Sequence, residues 1–575
     1  MFHLGDRIAA GAASGTENAS VLTQRVAVVG AVTIDYLWRA VACAVASEGV
    51  LPIMYRAPFG AHVQEILDPS STLYSFAPEL IVISPSQRDL ITALSISASE
   101  SEVASALSTT VALFQNLWTT LAEHNIRIIQ HLLVPPADRF RGLADRIAAA
   151  APASQICLLN KMLLEAGRGL VHFVDLAALA SQIGSRRWAA ARFHHTARLD
   201  FDPRHLPGYL APFRAAWRAA NSRIKKVLVL DLDNTLWGGV IGDDGLDGIA
   251  LGPSTPVGEA FEDWQRMLKG LADRGVVLAV CSKNDPEIAA TGFTHPHSVL
   301  HFSDFAAFEC SWSDKVGGLR RIAQALNLGL DCFVFADDNP AECSLVRQEL
   351  PDVAVVHLGD DPEQFAAVFD AGYWFDLAAY TPEDLGRSAA YTARASALAE
   401  RAEATDVDRY LAGLAMKGRL YRPEEGDIAR VAQIEQKTNQ FNLTTRRYSE
   451  AAIRGFLARE DAVVLAFRLA DRFGDHGLVS TLIGFREGDS LRIDSWLMSC
   501  RVFSRSAEQY IMGGLVAAAR AQGANGVVGE YLPTAKNDVV AGLYPRLGFA
   551  AAGRGRFVRD CLAPIDDLVT QISVA

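Results

Sequence analysis

Ile224-Lys225-Lys226-Val227-Leu228-Val229-Leu230-Asp231-Leu232-Asp233-Asn234-Thr235-Leu236-Trp237-Gly238-Gly239 is the stretch that decides the fold. Val227 to Leu230 form a short unbroken apolar run, as expected of a central strand in a parallel sheet buried on both faces. The run ends at Asp231, passes Leu232 and presents Asp233, with Thr235 two residues on. Strand alternation puts both carboxylates on one side of the emerging chain, at the carboxyl end of the strand. Open α/β sheets place their chemistry there. Two acids at such an edge can hold a divalent cation, and one can attack while the other shuttles a proton. An acidic strand-to-loop turn is the plainer alternative, and the later strand ends weigh against it.

The 575 residues allow about three or four domains. Half are hydrophobic and 21% are charged, an ordinary globular balance. A net charge of −12 argues against a nucleic-acid-binding surface but not against a small anionic substrate, which needs only a local pocket. A carrier protein, if acidic, would need a local basic patch as well. The eight cysteines show no Cys-x-x-Cys and no zinc spacing, which suits free thiols in a reducing cytosol. Neither a signal peptide nor an apolar run of membrane-spanning length is evident, so a cytoplasmic protein with no membrane partner is expected.

Residues 1–20 read as a loose tail. Strands at Val26–Gly30, Leu80–Ser84, Ile128–Val134 and Val171–Val174 then alternate with helical stretches at Ile34–Ala46, Ala104–His124 and 155–168. This alternation predicts a parallel three-layer α/β domain over 21–222. A hydrolase of the SGNH type places Gly-Asp-Ser after the first strand, whereas this chain has Gly30-Ala31-Val32-Thr33. A late Asp-x-x-His occurs at Asp202 and His205 without an evident nucleophile. The domain is expected to be SGNH-like in fold, and to dock or scaffold rather than catalyse.

Over 223–375 the pattern of the first strand recurs. A helix at Val257–Arg274 leads to a strand at Val276–Val280 that ends in Cys281-Ser282-Lys283-Asn284-Asp285. The Ser282 hydroxyl at that end can bond a phosphoryl oxygen. Lys315 opens a helix to Leu326 and can supply positive charge to a transferring phosphoryl group. A strand at Cys332–Ala336 ends in Asp337-Asp338-Asn339-Pro340, whose carboxylates suit an oxygen-rich magnesium site. In this order the chain resembles the haloacid dehalogenase superfamily. The resemblance implies Asp231 as the nucleophile that forms an aspartyl-phosphate and Asp233 as general acid/base. It implies Thr235, Ser282 and Lys315 around the phosphoryl group, and Mg2+ held by Asp231, Asp233 through its backbone, and one or both of Asp337 and Asp338. The short gap after Asp233 implies a capless Rossmannoid domain.

Longer strings narrow the resemblance to FkbH-like proteins of polyketide biosynthesis. They are Trp237-Gly238-Gly239, Cys281 to Asp285, Leu326-Asn327-Leu328-Gly329, Phe335 to Pro340, and Gln436-Lys437-Thr438-Asn439-Gln440-Phe441-Asn442-Leu443-Thr444-Thr445-Arg446-Arg447-Tyr448. That resemblance implies transfer of a D-glyceryl unit from D-1,3-bisphosphoglycerate, with dephosphorylation, to the phosphopantetheine thiol of an acyl carrier protein. The alternative is a magnesium-dependent small-molecule phosphatase with non-catalytic flanking domains.

Residues 376–415 read as a helical linker, and 416–575 as a last domain. Its strands at Ala462–Arg468, Gly477–Phe485 and Leu491–Met498, the loop Ser499 to Ser506, a helix to Ala521 and the late Tyr544-Pro545-Arg546-Leu547-Gly548-Phe549 resemble a GNAT-like α+β fold. Ser504 and Ser506 stand where the GNAT coenzyme A loop carries glycines, which argues against ordinary acetyl-CoA binding. Cys500, beside Arg501 and a helix start, is a candidate acyl-carrying thiolate, and Cys281 is its rival. Asn439 and Arg446, in a run of hydrogen-bonding side chains, suit a glyceryl group with its phosphate. His476 reads as a surface histidine.

Overall fold

The computed structural model describes residues 22–137, 142–189, 191–376, 391, 411–438, 441–472, 474–499, 502–503, 505–534, 537–562 and 568–575. The expected tail 1–20 and nearly all of the expected linker 376–415 lie outside the described residues. The chain forms two compact units, 1–221 with 371–379, and 222–370 with 380–575.

In the first unit, β1 (Thr23–Gly30), β2 (Leu51–Arg56), β3 (Leu80–Ser84), β4 (Arg127–His131) and β5 (Val171–Val174) form a parallel sheet in the order β2-β1-β3-β4-β5. Alternation along β1 divides the core. Val26 and Val28 pack with the helices Asp35–Ala46 and Leu206–Ala220, and Ala27 and Val29 with the helices Glu100–Glu123 and Pro152–Ala166. That is the three-layer α/β arrangement. The Arg218 guanidinium lies 4.7 Å from the centre of the Trp374 ring, within the same unit.

The second unit contains two sheets among the described residues. In one, β6 (Val227–Leu230), β7 (Val277–Ser282), β8 (Phe305–Cys310), β9 (Phe333–Asp337) and β10 (Ala354–His357) are parallel in the order β10-β9-β6-β7-β8. The chain moves from β6 to β7 and β8 on one side, then crosses to β9 on the other. The reversal falls between β6 and β9, at whose carboxyl ends a ligand crevice is expected. After β6 there is only the single turn Ile241–Asp244, braced by the Gly238–Ala250 bridge, before the helix Pro256–Asp273. The domain is therefore capless.

The other sheet is mixed. Its strands are β11 (Lys417–Tyr421), β12 (Ala462–Asp471), β13 (Gly474–Glu487), β14 (Ser490–Met498), β15 (Gly526–Glu530), β16 (Ala550–Ala551), β17 (Arg556–Asp560) and β18 (Ser573–Val574), in the order β16-β17-β15-β14-β13-β12-β11-β18. The parallel strands β14 and β15 pair only over Ser490–Arg492 against Gly526–Val528 and then part. This is the GNAT-like α+β topology. Beyond the parting, Asn442 bridges to Leu497, and the Leu443 carbonyl accepts from Leu532 N at 2.8 Å, so the chain's own backbone pairs along both strands.

Candidate active site

Asp231 leaves β6 beside the end of β9, its N–H donating to the Ala336 carbonyl at 3.2 Å. Lys315 begins the helix Lys315–Leu326, which Asp314 caps by accepting from Gly317 N. The buried Lys315 Nζ lies 2.7 Å from Asp231 Oδ2 and 2.5 Å from Asp337 Oδ2. Asp338 Oδ1 accepts from the Thr235 hydroxyl at 2.9 Å. One carboxylate oxygen from each of Asp231, Asp337 and Asp338 lies within 4.8 Å of the others. With Oδ2 of Asp231 held by Lys315, its Oδ1 is buried with no hydrogen-bond partner.

One ammonium faces three carboxylates here, so negative charge is in excess. Burial raises Asp338, with Asp231 adding to the shift against the Thr235 bond. Burial and then Asp231 push Asp337 up to about 6, against Lys315. Burial works against the Lys315 ammonium, but Asp231 and Asp337 outweigh it and hold the group above the ordinary lysine value. An orphaned, buried carboxylate oxygen among hard oxygen donors with surplus negative charge fits a divalent cation of the magnesium type.

Asp233 is held differently. Its Oδ1 accepts from Trp237 Nε1 at 2.9 Å and Ile241 N at 3.0 Å, and its Oδ2 accepts from Asn284 Nδ2 at 2.9 Å. Its carboxylate therefore lies outside the three-carboxylate cluster. Burial raises its pKa, partly offset by the bonds from Ile241 and Trp237, and this favours the protonated form that a general acid needs. Trp237 and Asn284, both buried, are positioning residues that motif reading did not assign. The signal was present in the quoted strings: an indole four residues after Asp233, and an amide two residues after Ser282. Ser282 ends β7 and is buried. The Thr235 hydroxyl, expected on the phosphoryl group, is instead engaged by Asp338.

Cys281 does not supply the expected thiolate. It faces the apolar core under the helix Lys315–Leu326, its Sγ 3.7 Å from the Lys315 carbonyl, and burial pushes its thiol up to about 12. Cys310, in register with Ser282, is also pushed up to about 12, by burial first and Asp231 next. Cys500 and Asn439 lie outside the described residues, as does Ser504. Arg446 is committed to carboxylates, Asp494 at 3.1 Å and Glu530 at 3.1 Å, which corrects its reading as a phosphate ligand. Asn442 and Thr444 are likewise structural: Asn442 Oδ1 accepts from Thr445 N at 2.8 Å and Thr444 Oγ1 donates to the Asp494 carbonyl at 2.7 Å. His476 is not a surface residue. It is 3% exposed, with Nε2 3.0 Å from Asp471 Oδ2 and 2.6 Å from Arg505 Nη1. Arg505, from the loop that stands where a GNAT fold has its coenzyme A loop, is thereby turned inward onto Asp471 and His476. Ser506 sits at φ +58°, a left-handed position that favours glycine.

Residues 25–211 match the family described as FkbH, N-terminal domain. Among solved structures, the chain is 27% identical to the N-terminal part of the protein BF1531 from Bacteroides fragilis, which contains a phosphatase domain and was crystallised with Mg. That alignment covers 65% of this chain and 99% of that one, with a TM-score of 0.58. The ribosomal-protein-S18-alanine N-acetyltransferase from Escherichia coli is 16% identical over 24% of this chain and 90% of its own, with a TM-score of 0.20. The GNAT domain of PAT from S. lividans is 14% identical over 25% of this chain and 90% of its own, with a TM-score of 0.21. No curated protein matches the chain. The first domain is thus FkbH-like, and the longer similarity is to a protein that contains a phosphatase domain.

Proposed function

We propose that this FkbH-like chain dephosphorylates a phosphorylated three-carbon acyl donor at Asp231 and loads the glyceryl unit on a carrier protein. The observation that carries the phosphoryl chemistry is the unpartnered Asp231 Oδ1 beside a fixed Lys315 and two further carboxylates. Oδ1 attacks phosphorus and forms a P–O bond as the bond to the leaving oxygen breaks. Asp233, its pKa raised by burial, gives that oxygen a proton. The same carboxylate then takes a proton from water, whose oxygen displaces Asp231 and releases phosphate. Lys315 holds Oδ2 still and supplies positive charge at the phosphoryl group. Asp231, Asp337 and Asp338 would hold Mg2+, which when bound neutralises charge on the phosphoryl oxygens.

The resemblance in the quoted strings supports D-1,3-bisphosphoglycerate as donor and an acyl carrier protein as acceptor. A thiolate attacking the acyl phosphate carbon would form a thioester and release phosphate, and the phosphopantetheine thiol would then take the glyceryl group. With Cys281 sealed in the core, Cys500 is the thiol this reading uses.

Intact-protein mass spectrometry tests it. The protein is incubated with Mg2+, 1,3-bisphosphoglycerate generated in place and a phosphopantetheinylated carrier, beside Asp231→Asn, Cys500→Ala and Cys281→Ala. A glyceryl adduct on the carrier is expected, lost in Cys500→Ala and kept in a folded Cys281→Ala. Phosphate release with an unmodified carrier would leave a phosphatase with non-catalytic flanking domains.

A further inference from the structure

Within the first unit, the stretch 185–205 carries a charge balance opposite to that of the whole chain. Between residues 185 and 205 stand five arginines and three histidines against Asp200 and Asp202, in a protein of net charge −12. Six of these residues line one concavity of about 490 Å³: Arg186, Arg187, Arg192, Asp202, Arg204 and His205. All four arginines are exposed. Asp202, 0% exposed, is occupied by Arg204, whose Nε lies 3.1 and 3.0 Å from its two oxygens and whose N–H donates to it at 3.0 Å. The Asp-x-x-His noted in the sequence is thus an ion-paired turn in the wall of a basic groove.

We propose that this groove docks an acidic protein surface, which under the carrier-dependent reading above is that of the carrier protein. The form of the groove favours a macromolecule over a small phosphate. Its guanidiniums stand exposed where they meet an opposing charged face, and the buried ionic group in its wall is the Asp202 carboxylate, already paired with Arg204, so no lining arginine is buried to grip a small phosphate. Exposed charge of one sign on a concave face steers an oppositely charged partner and fixes its register. A net-negative chain needs such a local reversal to receive an acidic partner at all.

The test compares the full chain with an Arg186→Glu/Arg187→Glu/Arg192→Glu variant. Arg204 is kept because its loss would strand the buried Asp202 carboxylate. Binding is measured by fluorescence anisotropy to an acyl carrier protein in apo and phosphopantetheinylated forms, at low and raised salt, with melting curves as the fold control. Both carrier forms should bind the parent, more weakly as salt rises. The variant should lose affinity at least about tenfold while its phosphate release is unchanged. Equal affinity of parent and variant overturns the proposal, as does absence of carrier binding to the parent. Displacement of the carrier by micromolar inorganic pyrophosphate or ATP also overturns it and makes the groove a small-phosphate pocket. Carrier binding without a glyceryl adduct would sink the transferase reading and leave the dock standing.

Discussion

At the scale of single residues, the central site is a problem of too many carboxylates held near one ammonium. Asp338 shows the consequence. Its ionised form is disfavoured by burial and by Asp231, and what opposes that is one hydroxyl bond from Thr235, its own backbone N–H and the charge of Lys315. Asp338→Asn should therefore melt higher than the parent in EDTA, because an uncompensated charge has gone. In magnesium the order should reverse, since removing a direct oxygen ligand should cost at least the roughly 10–100-fold in metal affinity that outer-shell changes cost. Thermal melts of both proteins with EDTA and with Mg2+ check this, and a variant that gains as much from the metal as the parent would remove Asp338 from the site. The identities of these acids were legible because each ends an apolar strand. What motif reading could not supply was the direction of each side chain. Thr235 turned to Asp338, and Asp233 was taken up by Trp237, Ile241 and Asn284, because a buried carboxylate collects whatever donors the fold brings near it.

At the scale of elements, the helix Ile428–Lys437 is fastened to its sheet by an acid. Glu435 is fully buried and accepts from Thr481 on β13 at 2.7 Å and from Ser495 on β14 at 2.8 Å. Burial raises its pKa from 4.5 to about 7. Between those values the folded state keeps a proton that the unfolded chain has lost, so Glu435's contribution to stability falls as pH rises through that window. The full loss is about 3 kcal/mol at most. Glu435→Gln should flatten the dependence, measured as urea midpoints at pH 5 and pH 8, and an unchanged difference between the two midpoints would overturn it. Elements also differed in how legible they were. The sequence shows the interior strands β1, β3, β4, β6, β7 and β9, which are apolar because helices cover both faces, and it also shows β5 at the edge of the first sheet. It does not mark β2, β8 and β10, each at the edge of its sheet. Their sequences, Leu-Pro-Ile-Met-Tyr-Arg, Phe-Ala-Ala-Phe-Glu-Cys and Ala-Val-Val-His, mix polar ends, a proline or short length into the pattern, as edge strands can.

At the scale of the whole molecule, the site and the basic groove belong to different compact units. Every residue of the three-carboxylate cluster lies in 222–370, and every lining residue of the groove lies before 221. Ligands that act on one unit should therefore leave a separate thermodynamic signature. A cation that binds only the folded form stabilises the body holding its ligands, by about 2.7 kcal/mol at a hundredfold excess over Kd. Differential scanning calorimetry of the full chain should show more than one transition, with Mg2+ raising only the one that contains the Asp231 sheet. Asp231→Asn should abolish most of that rise, since Asp231 supplies one of the three carboxylates that would hold the cation. The charge-reversed groove variant should keep it in full. A single transition that moves as a whole would mean that the two units unfold together, and a magnesium effect on the first unit would place a cation outside the carboxylate cluster.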